Sequence, residues 1–276
     1  MSTHPPEAKV KPLLPRDLAQ LKASGTPIVC TTAYDVLQAR LVDAAGVDVV
    51  LVGDSLGQVV AGLESTRQVP LDQMIWHAAA VHRGLRRALL VIDMPWMTYH
   101  VSADEAVRNC GRALAESGAA CVKMEGGTAP IVEAVRRCVE VGIPVMGHIG
   151  YTPQTDVALG GARVQGREAS RADALVAEAQ ALEGAGACAI VLELVPAAVA
   201  ARITAAVTIP TIGIGAGASC DGQILVLPDL LGLNEGFRPK FLKRYAELGA
   251  AARDAVGRYA EEVRARRYPD DETSFA

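Results

Sequence analysis

The sequence predicts an α/β fold, a (β/α)8 barrel of the TIM type, on three observations. Short apolar runs rich in β-branched residues recur eight times, most followed by a turn residue and an Ala-rich stretch with helical spacing, which is the βαβ signature. The chain has 276 residues, close to the roughly 250 of one such barrel. Half the residues are hydrophobic while only 4% are aromatic, so the core must be built from Ala, Val, Leu and Ile, as tightly layered α/β folds are.

The candidate strands are TPIVCTT (26–32), VDVVLVGD (47–54), ALLVIDMP (88–95), CVKMEG (121–126), PVMGHIG (144–150), CAIVLELV (188–195), PTIGIGAG (210–217) and GQILVLPD (222–229). Runs apolar throughout, such as VDVVLVG and CAIVLEL, suit strands buried on both faces of a parallel sheet. Helices are expected at Asp35–Ala45, Leu71–Arg87, Ser102–Ser117, Thr128–Val141, Ser170–Glu183 and Val199–Val207, with Ser102 and Glu105 forming a capping box. Eight units favour closure into a barrel over a doubly wound open sheet. Residues 1–25 read as an N-terminal extension with a short helix, and 26–276 as one barrel with C-terminal helices. No low-complexity linker divides the chain, but the connections 55–70 and 151–169 are long enough to be lids or binding loops.

Charge and cysteine usage exclude several classes. The 27 basic and 31 acidic residues give a net charge of -4 without a basic stripe, which argues against nucleic-acid binding. Cys30, Cys110, Cys121, Cys138, Cys188 and Cys220 form no C-x-x-C pair and read as reduced, small core residues. The start MSTHPPEAKVKPLLPRD has no apolar h-region, and Glu193 and Pro196 interrupt the run 189–201. A cytoplasmic protein without a membrane segment is the expectation.

Catalytic groups of a barrel project from the C-terminal strand ends. Here strand two ends in Asp54 and Ser55, strand three in Asp93, strand four in Lys123 and Glu125, strand five in His148, and strand six carries Glu193. Each alone has an ordinary explanation: a carboxylate after a strand is often an N-cap, a histidine between glycines a satisfied loop residue, and Lys123 an ion-pair partner of Glu125 on the same face. Together they are costly to bury unless a cation or protons compensate. Oxygen ligands without cysteine or clustered histidine point to Mg2+, or Mn2+ in its place, rather than zinc. Such an ion suits a chelating 2-oxo acid. Gly213, Gly215, Gly217 and Ala218 match G-x-G-x-x-G/A but follow the seventh strand, so they read as backbone approach to a ligand or as a tight turn, and only weakly as a nicotinamide site.

The motifs TAYD (32–35), LVGDSLG (51–57), VKMEGG (122–127), GHIGYTPQ (147–154), VQGR (164–167), VLELVP (191–196) and GIGAGASCDGQILV (213–226) closely resemble the ketopantoate hydroxymethyltransferase family. The resemblance runs from about Thr26 to Pro239–Phe241, with a YP-containing tail at Tyr268. It implies a barrel of the phosphoenolpyruvate/pyruvate type that moves a one-carbon unit from 5,10-methylenetetrahydrofolate to 3-methyl-2-oxobutanoate, giving 2-dehydropantoate in pantothenate synthesis. It implies Asp54, Asp93 and Glu125 as Mg2+ ligands or their close support, and Asp54, Ser55, Asp93, Lys123 and His148 as substrate-pocket residues. It implies Glu193 as the catalytic proton acceptor. It also implies a large homo-oligomer, commonly a decamer; the charged C-terminal helix near Pro239–Arg267 reads equally as a contact or as a solvated terminal helix.

Leu63 stands where the family commonly has histidine, Trp96 where phenylalanine is usual, and Ala162 where an aromatic is common. All three fall in loops, away from the acidic set. Lyases and mutases of the phosphoenolpyruvate/isocitrate lyase type are the nearest rival, but their K-x-C-G-H type motif is absent. A non-catalytic metabolite-binding barrel is the rival outside enzymes.

Overall fold

A computed structural model of the chain describes residues 11–275. Helix α1 (Pro15–Ala23) precedes β1 (Ile28–Thr32), and then come α2 (Val36–Ala44), β2 (Val49–Val52), the single turn α3 (Leu56–Val59), α4 (Leu71–His82), β3 (Leu89–Asp93), α5 (Ala103–Ser117) and β4 (Cys121–Glu125). The second half runs α6 (Ala129–Glu140), β5 (Val145–Gly150), α7 (Asp156–Leu159), α8 (Ala169–Gly184), β6 (Ala189–Glu193), α9 (Ala197–Ala206), β7 (Thr211–Ile214) and β8 (Gly222–Leu225). All eight strands pair in parallel with their sequence neighbours, and β8 returns to β1, closing the expected barrel. The chain divides into two compact units, one ending at Leu225 and the other starting at Val226. The second holds α10 (Leu227–Leu230) and α11 (Leu248–Arg264). No helix among the described residues is long and apolar enough to cross a membrane.

Strand parity builds the interior. Alternate residues of each strand point inward, and Cys30, Val49, Leu51, Leu89, Val91, Cys121, Met146, Ala189, Val191, Ile212 and Ile224 form one buried cluster. Leu18 of α1, fully buried, joins that cluster. Lys22, one turn on, donates from Nζ to the carbonyls of Thr204 (3.2 Å), Val207 (3.0 Å) and Ile209 (3.0 Å), and pairs with Asp221 at 3.0 Å. A cation thus satisfies the free carbonyls at the C-terminal end of α9.

Several boundaries differ from expectation for physical reasons. Helix α4 stops at His82 instead of Arg87: the Asp43 carboxylate accepts the backbone N–H groups of Arg86 (3.0 Å), Arg87 (3.1 Å) and Ala88 (2.8 Å) and holds that segment in a non-helical bend. Strand β8 ends at Leu225, since Pro228 cannot donate to a ladder and instead sits in the first turn of α10. The C-terminal helix begins at Leu248 and not near Pro239; Arg244 ties the preceding loop by donating to the carbonyls of Glu235 (2.9 Å) and Phe237 (3.1 Å). At α5 the Ser102 hydroxyl accepts from the Glu105 N–H at 3.2 Å, which is one half of the expected capping box; the reciprocal bond is not among those described. The cysteines are free, as expected, with Cys121 and Cys188 3.7 Å apart at sulfur.

Leu18→Ala should open a cavity under the barrel core and cost about 2–5 kcal/mol of unfolding free energy. Urea titration of the two proteins measures it, and a loss below about 1 kcal/mol would mean that α1 is not part of the core.

Candidate active site

The parity that sends Leu89 and Val91 into the core turns Asp93, two residues on, inward at the top of β3. On β4 the same alternation carries Cys121, Lys123 and Glu125 to one face, on β5 Met146 and His148, and on β6 Ala189, Val191 and Glu193. Register then makes neighbours: Asp93 lies opposite Lys123, and Glu125 opposite His148. Asp54 and Ser55 follow β2 across Gly53, where a Cβ would sit 2.9 Å from Ser55 Oγ. A side chain there would displace the Ser55 hydroxyl from its place beside Tyr34.

All seven residues singled out in the sequence belong to this constellation. Lys123 Nζ lies 2.8 Å from Asp93 Oδ1, 3.5 Å from Glu125 Oε1 and 3.1 Å from His148 Nδ1. The Asp54 N–H donates to Asp93 Oδ2 at 3.2 Å. His148 Nδ1 is 3.4 Å from Glu125 Oε1, and Nε2 is 3.2 Å from Glu193 Oε2, near enough to pair although off the line of a good hydrogen bond. Ser55 Oγ shares a hydrogen bond of 2.9 Å with the Tyr34 hydroxyl. Asp54, Asp93, Lys123, Glu125 and His148 are all buried, whereas Glu193 keeps 17% of its side chain exposed at the rim.

Charge does not balance. Three buried carboxylates face one lysine and one histidine, and Glu193 adds a fourth negative group. Burial, then the neighbouring charges of Asp93 and Glu125, raise the Asp54 pKa well above the usual carboxylate range. Burial also raises Asp93, against the pull of Lys123. Glu125 goes the other way: burial is outweighed by Lys123, His148 and the Gln154 N–H, and its pKa falls to about 2. For Lys123 burial is likewise overcome, by Asp93, Glu125 and Asp54, so it stays firmly charged. His148 is destabilised as a cation by burial and Lys123, yet the two glutamates hold its pKa up at about 9. In the imidazolium, and in the neutral form that accepts from Lys123, its Nε2 carries a proton toward Glu193.

The set fits a hard divalent cation. One oxygen each from Asp54, Asp93 and Glu125 can be chosen so that all lie within 4.8 Å of one another. Asp93 Oδ1 is buried without a well-aligned hydrogen bond, despite the short Lys123 contact. A cation would offset the excess negative charge that, with burial, raises the pKa values of Asp54 and Asp93.

Sequence reasoning missed Gln154, Tyr99 and Tyr34. Gln154 and Tyr34 lie within the quoted motifs GHIGYTPQ and TAYD but carried no role, and Tyr99 sits in an irregular loop without periodic signal. Of the departures, Trp96 is partly exposed with Arg67 5.8 Å over its ring, Leu63 lies beside Gly57, and Ala162 is exposed. The glycines after β7 make close packing: a Cβ on Gly217 would lie 2.5 Å from that of Ala197.

The fold class is shared with solved enzymes of distant sequence. 2,3-dimethylmalate lyase, a PEP mutase/isocitrate lyase superfamily member, superposes with a TM-score of 0.61 at 17% identity over 95% of this chain and 92% of that one. Phosphoenolpyruvate phosphomutase from Streptomyces platensis subsp. rosaceus gives 0.60 at 15% identity over 94% and 91%. At sequence level the ketopantoate hydroxymethyltransferase family model matches residues 13–271. The chain is 53% identical to the 3-methyl-2-oxobutanoate hydroxymethyltransferase of Anaeromyxobacter dehalogenans, over 100% of this chain and 90% of the relative. It is 51% identical to that of Deinococcus radiodurans, over 97% and 95%. The chain belongs to the ketopantoate hydroxymethyltransferase family, a family of transferase enzymes.

Protons and a cation would compete for Asp54 and Asp93. Their raised pKa values mean that ligation would have to displace protons at a higher pH than at ordinary carboxylates, so apparent affinity should rise with pH. Calorimetric titration with Mg2+ should show tighter binding at pH 8 than at pH 5.5, with proton release at the lower pH. Affinity independent of pH would contradict this assignment of charge.

Proposed function

We propose that this protein transfers a hydroxymethyl group to 3-methyl-2-oxobutanoate, giving 2-dehydropantoate in pantothenate synthesis, with 5,10-methylenetetrahydrofolate as donor and Mg2+ as cofactor. The observation that carries the reading is the rim carboxylate of Glu193, 3.2 Å from His148 Nε2 and beside the buried acid and lysine cluster. A base at the edge of a polar, charge-rich pocket suits removal of the weakly acidic C3 proton of a 2-oxo acid. Names of relatives at about half identity over the full chain support the substrate.

Asp54, Asp93 and Glu125 would hold the cation, which when bound supplies a Lewis acid for the oxygens of a chelating keto acid. Glu193 accepts the C3 proton. His148, with its Nε2 proton facing Glu193, orients that carboxylate. Lys123, charged and fixed between Asp93 and Glu125, stabilises negative charge developing on the substrate without reorganising. Ser55, held by Tyr34, offers a hydroxyl to the substrate carboxylate. The C3 carbon then forms a bond to the donor's methylene carbon and water adds its OH there; both C–N bonds of that carbon break, the two nitrogens take up the proton removed from C3 and the remaining proton of water, and tetrahydrofolate leaves. Cytoplasmic residence and homo-oligomeric assembly, as large as a decamer, belong to the same proposal. The exposed Val256 and Tyr259 of α11 are compatible with subunit contact.

Glu193→Gln should abolish exchange of the C3 hydrogen with solvent deuterium and lower kcat by about 10²- to 10⁴-fold, with keto-acid binding retained. Unchanged exchange in that variant would remove Glu193 from its role. Separately, chelation should abolish turnover of 3-methyl-2-oxobutanoate with methylenetetrahydrofolate, and Mg2+ or Mn2+ should restore it; full activity after complete chelation would exclude the metal.

A further inference from the structure

Gln154 sits on a short 3-10 turn, Pro153–Thr155, beyond β5, and only 1% of it is exposed. Every polar atom of its amide is engaged. Nε2 donates to Asp54 Oδ2 and to the Met94 carbonyl, both at 2.9 Å, and Oε1 accepts from the Tyr99 hydroxyl at 2.8 Å. Its backbone N–H donates to Glu125 Oε2 at 3.0 Å. Tyr99, also buried, accepts in turn from the Glu125 N–H at 3.0 Å.

Gln154, Tyr99 and Glu125 form a closed circuit, and Asp54 is joined to it through the Gln154 amide. The orientation of the amide is fixed, because reversing it would aim its oxygen at the Met94 carbonyl, which can only accept. Glu125 is gripped at its carboxylate by the Gln154 N–H and at its backbone by Tyr99. Asp54 follows a glycine, outside the β2 ladder, and Gln154 supplies the described side-chain bond to its carboxylate. A carboxylate that must hold a metal needs such a partner to fix its rotamer, and loss of outer partners typically weakens metal affinity about 10- to 100-fold.

We propose that Gln154, oriented by Tyr99, is a positioning residue that sets Asp54 and Glu125 for divalent-cation binding, by clamping one oxygen of each carboxylate. This rests on the metal reading given above. The described bonds of the clamp run to Asp54, Glu125 and the Met94 carbonyl and not to Lys123 or Glu193. The clamp acts by keeping the ligand set assembled before the cation arrives, so its removal lowers affinity more than fold stability.

Mn2+ titration followed by electron paramagnetic resonance, without substrate, tests it on wild type, Gln154→Leu, Tyr99→Phe and the double variant. The expected result is a Kd raised about 10- to 100-fold for Gln154→Leu and several-fold for Tyr99→Phe. The double variant should weaken binding by less than the product of the two single effects, because Tyr99 acts in part through the Gln154 amide. A structural role alone would show instead in the melting temperature with EDTA, which should stay within a few degrees of wild type for Tyr99→Phe. If Gln154→Leu does not fold, Tyr99→Phe decides: a raised Kd supports the clamp, and an unchanged Kd overturns it. Wild-type affinity in a folded Gln154→Leu overturns the clamp while leaving the metal reading intact; no Mn2+ binding by wild type overturns both.

Discussion

Three carboxylates buried around one lysine at the mouth of a close-packed barrel are the constraint on which the rest of the site depends. Below them the interior is apolar, so the negative charge cannot be dispersed downward or screened by water. The protein answers unevenly. Lys123 pairs with Asp93 and Glu125, while burial makes Asp54 and Asp93 harder to ionise than ordinary carboxylates. The opposite behaviour of Glu125, ionised where Asp54 resists ionisation, follows from its position between Lys123, His148 and the Gln154 N–H. One charged layer thus presents a permanent cation, a proton carrier in His148, and a set of carboxylates short of positive charge.

Much of this was legible because strand parity is rigid. Once LLVID and CVKME are read as strands, the inward direction of Asp93, Lys123 and Glu125 is fixed by the same alternation that buries Val91 and Cys121. The neighbouring register brings His148 alongside Glu125 with no further information. Gln154 obeys no such rule. It reaches Asp54 across 100 positions from an irregular turn, and a lone glutamine after proline has no periodic signature to mark it. Tyr99 was hidden for the same reason. Helix α4 shows the complementary failure: apolar spacing continues past His82, but the stop comes from the Asp43 carboxylate, a tertiary contact that local spacing cannot reveal.

Beyond Glu193 the chain turns sharply. Leu194 adopts a left-handed backbone (φ 47°), fixed by a hydrogen bond from its N–H to the Ile214 carbonyl and another from the Gln165 N–H to its own carbonyl, at 2.9 and 2.8 Å. Gly150 lets the Glu193 carbonyl approach, since a Cβ there would lie 2.3 Å from that oxygen. Non-glycine residues hold such a conformation only where surroundings over-determine it, and such strain gathers at functional sites. Here it brings β6 to an end directly behind the carboxylate proposed as base.

Anomalous diffraction at the manganese edge, from crystals soaked with Mn2+ and 3-methyl-2-oxobutanoate, tests the central claim most directly. The account predicts one peak among the carboxylates of Asp54, Asp93 and Glu125, at about 2.0–2.4 Å from at least one of their oxygens, with the keto acid beside it and its C3 facing Glu193. A peak elsewhere, or none in the presence of bound keto acid, would contradict it.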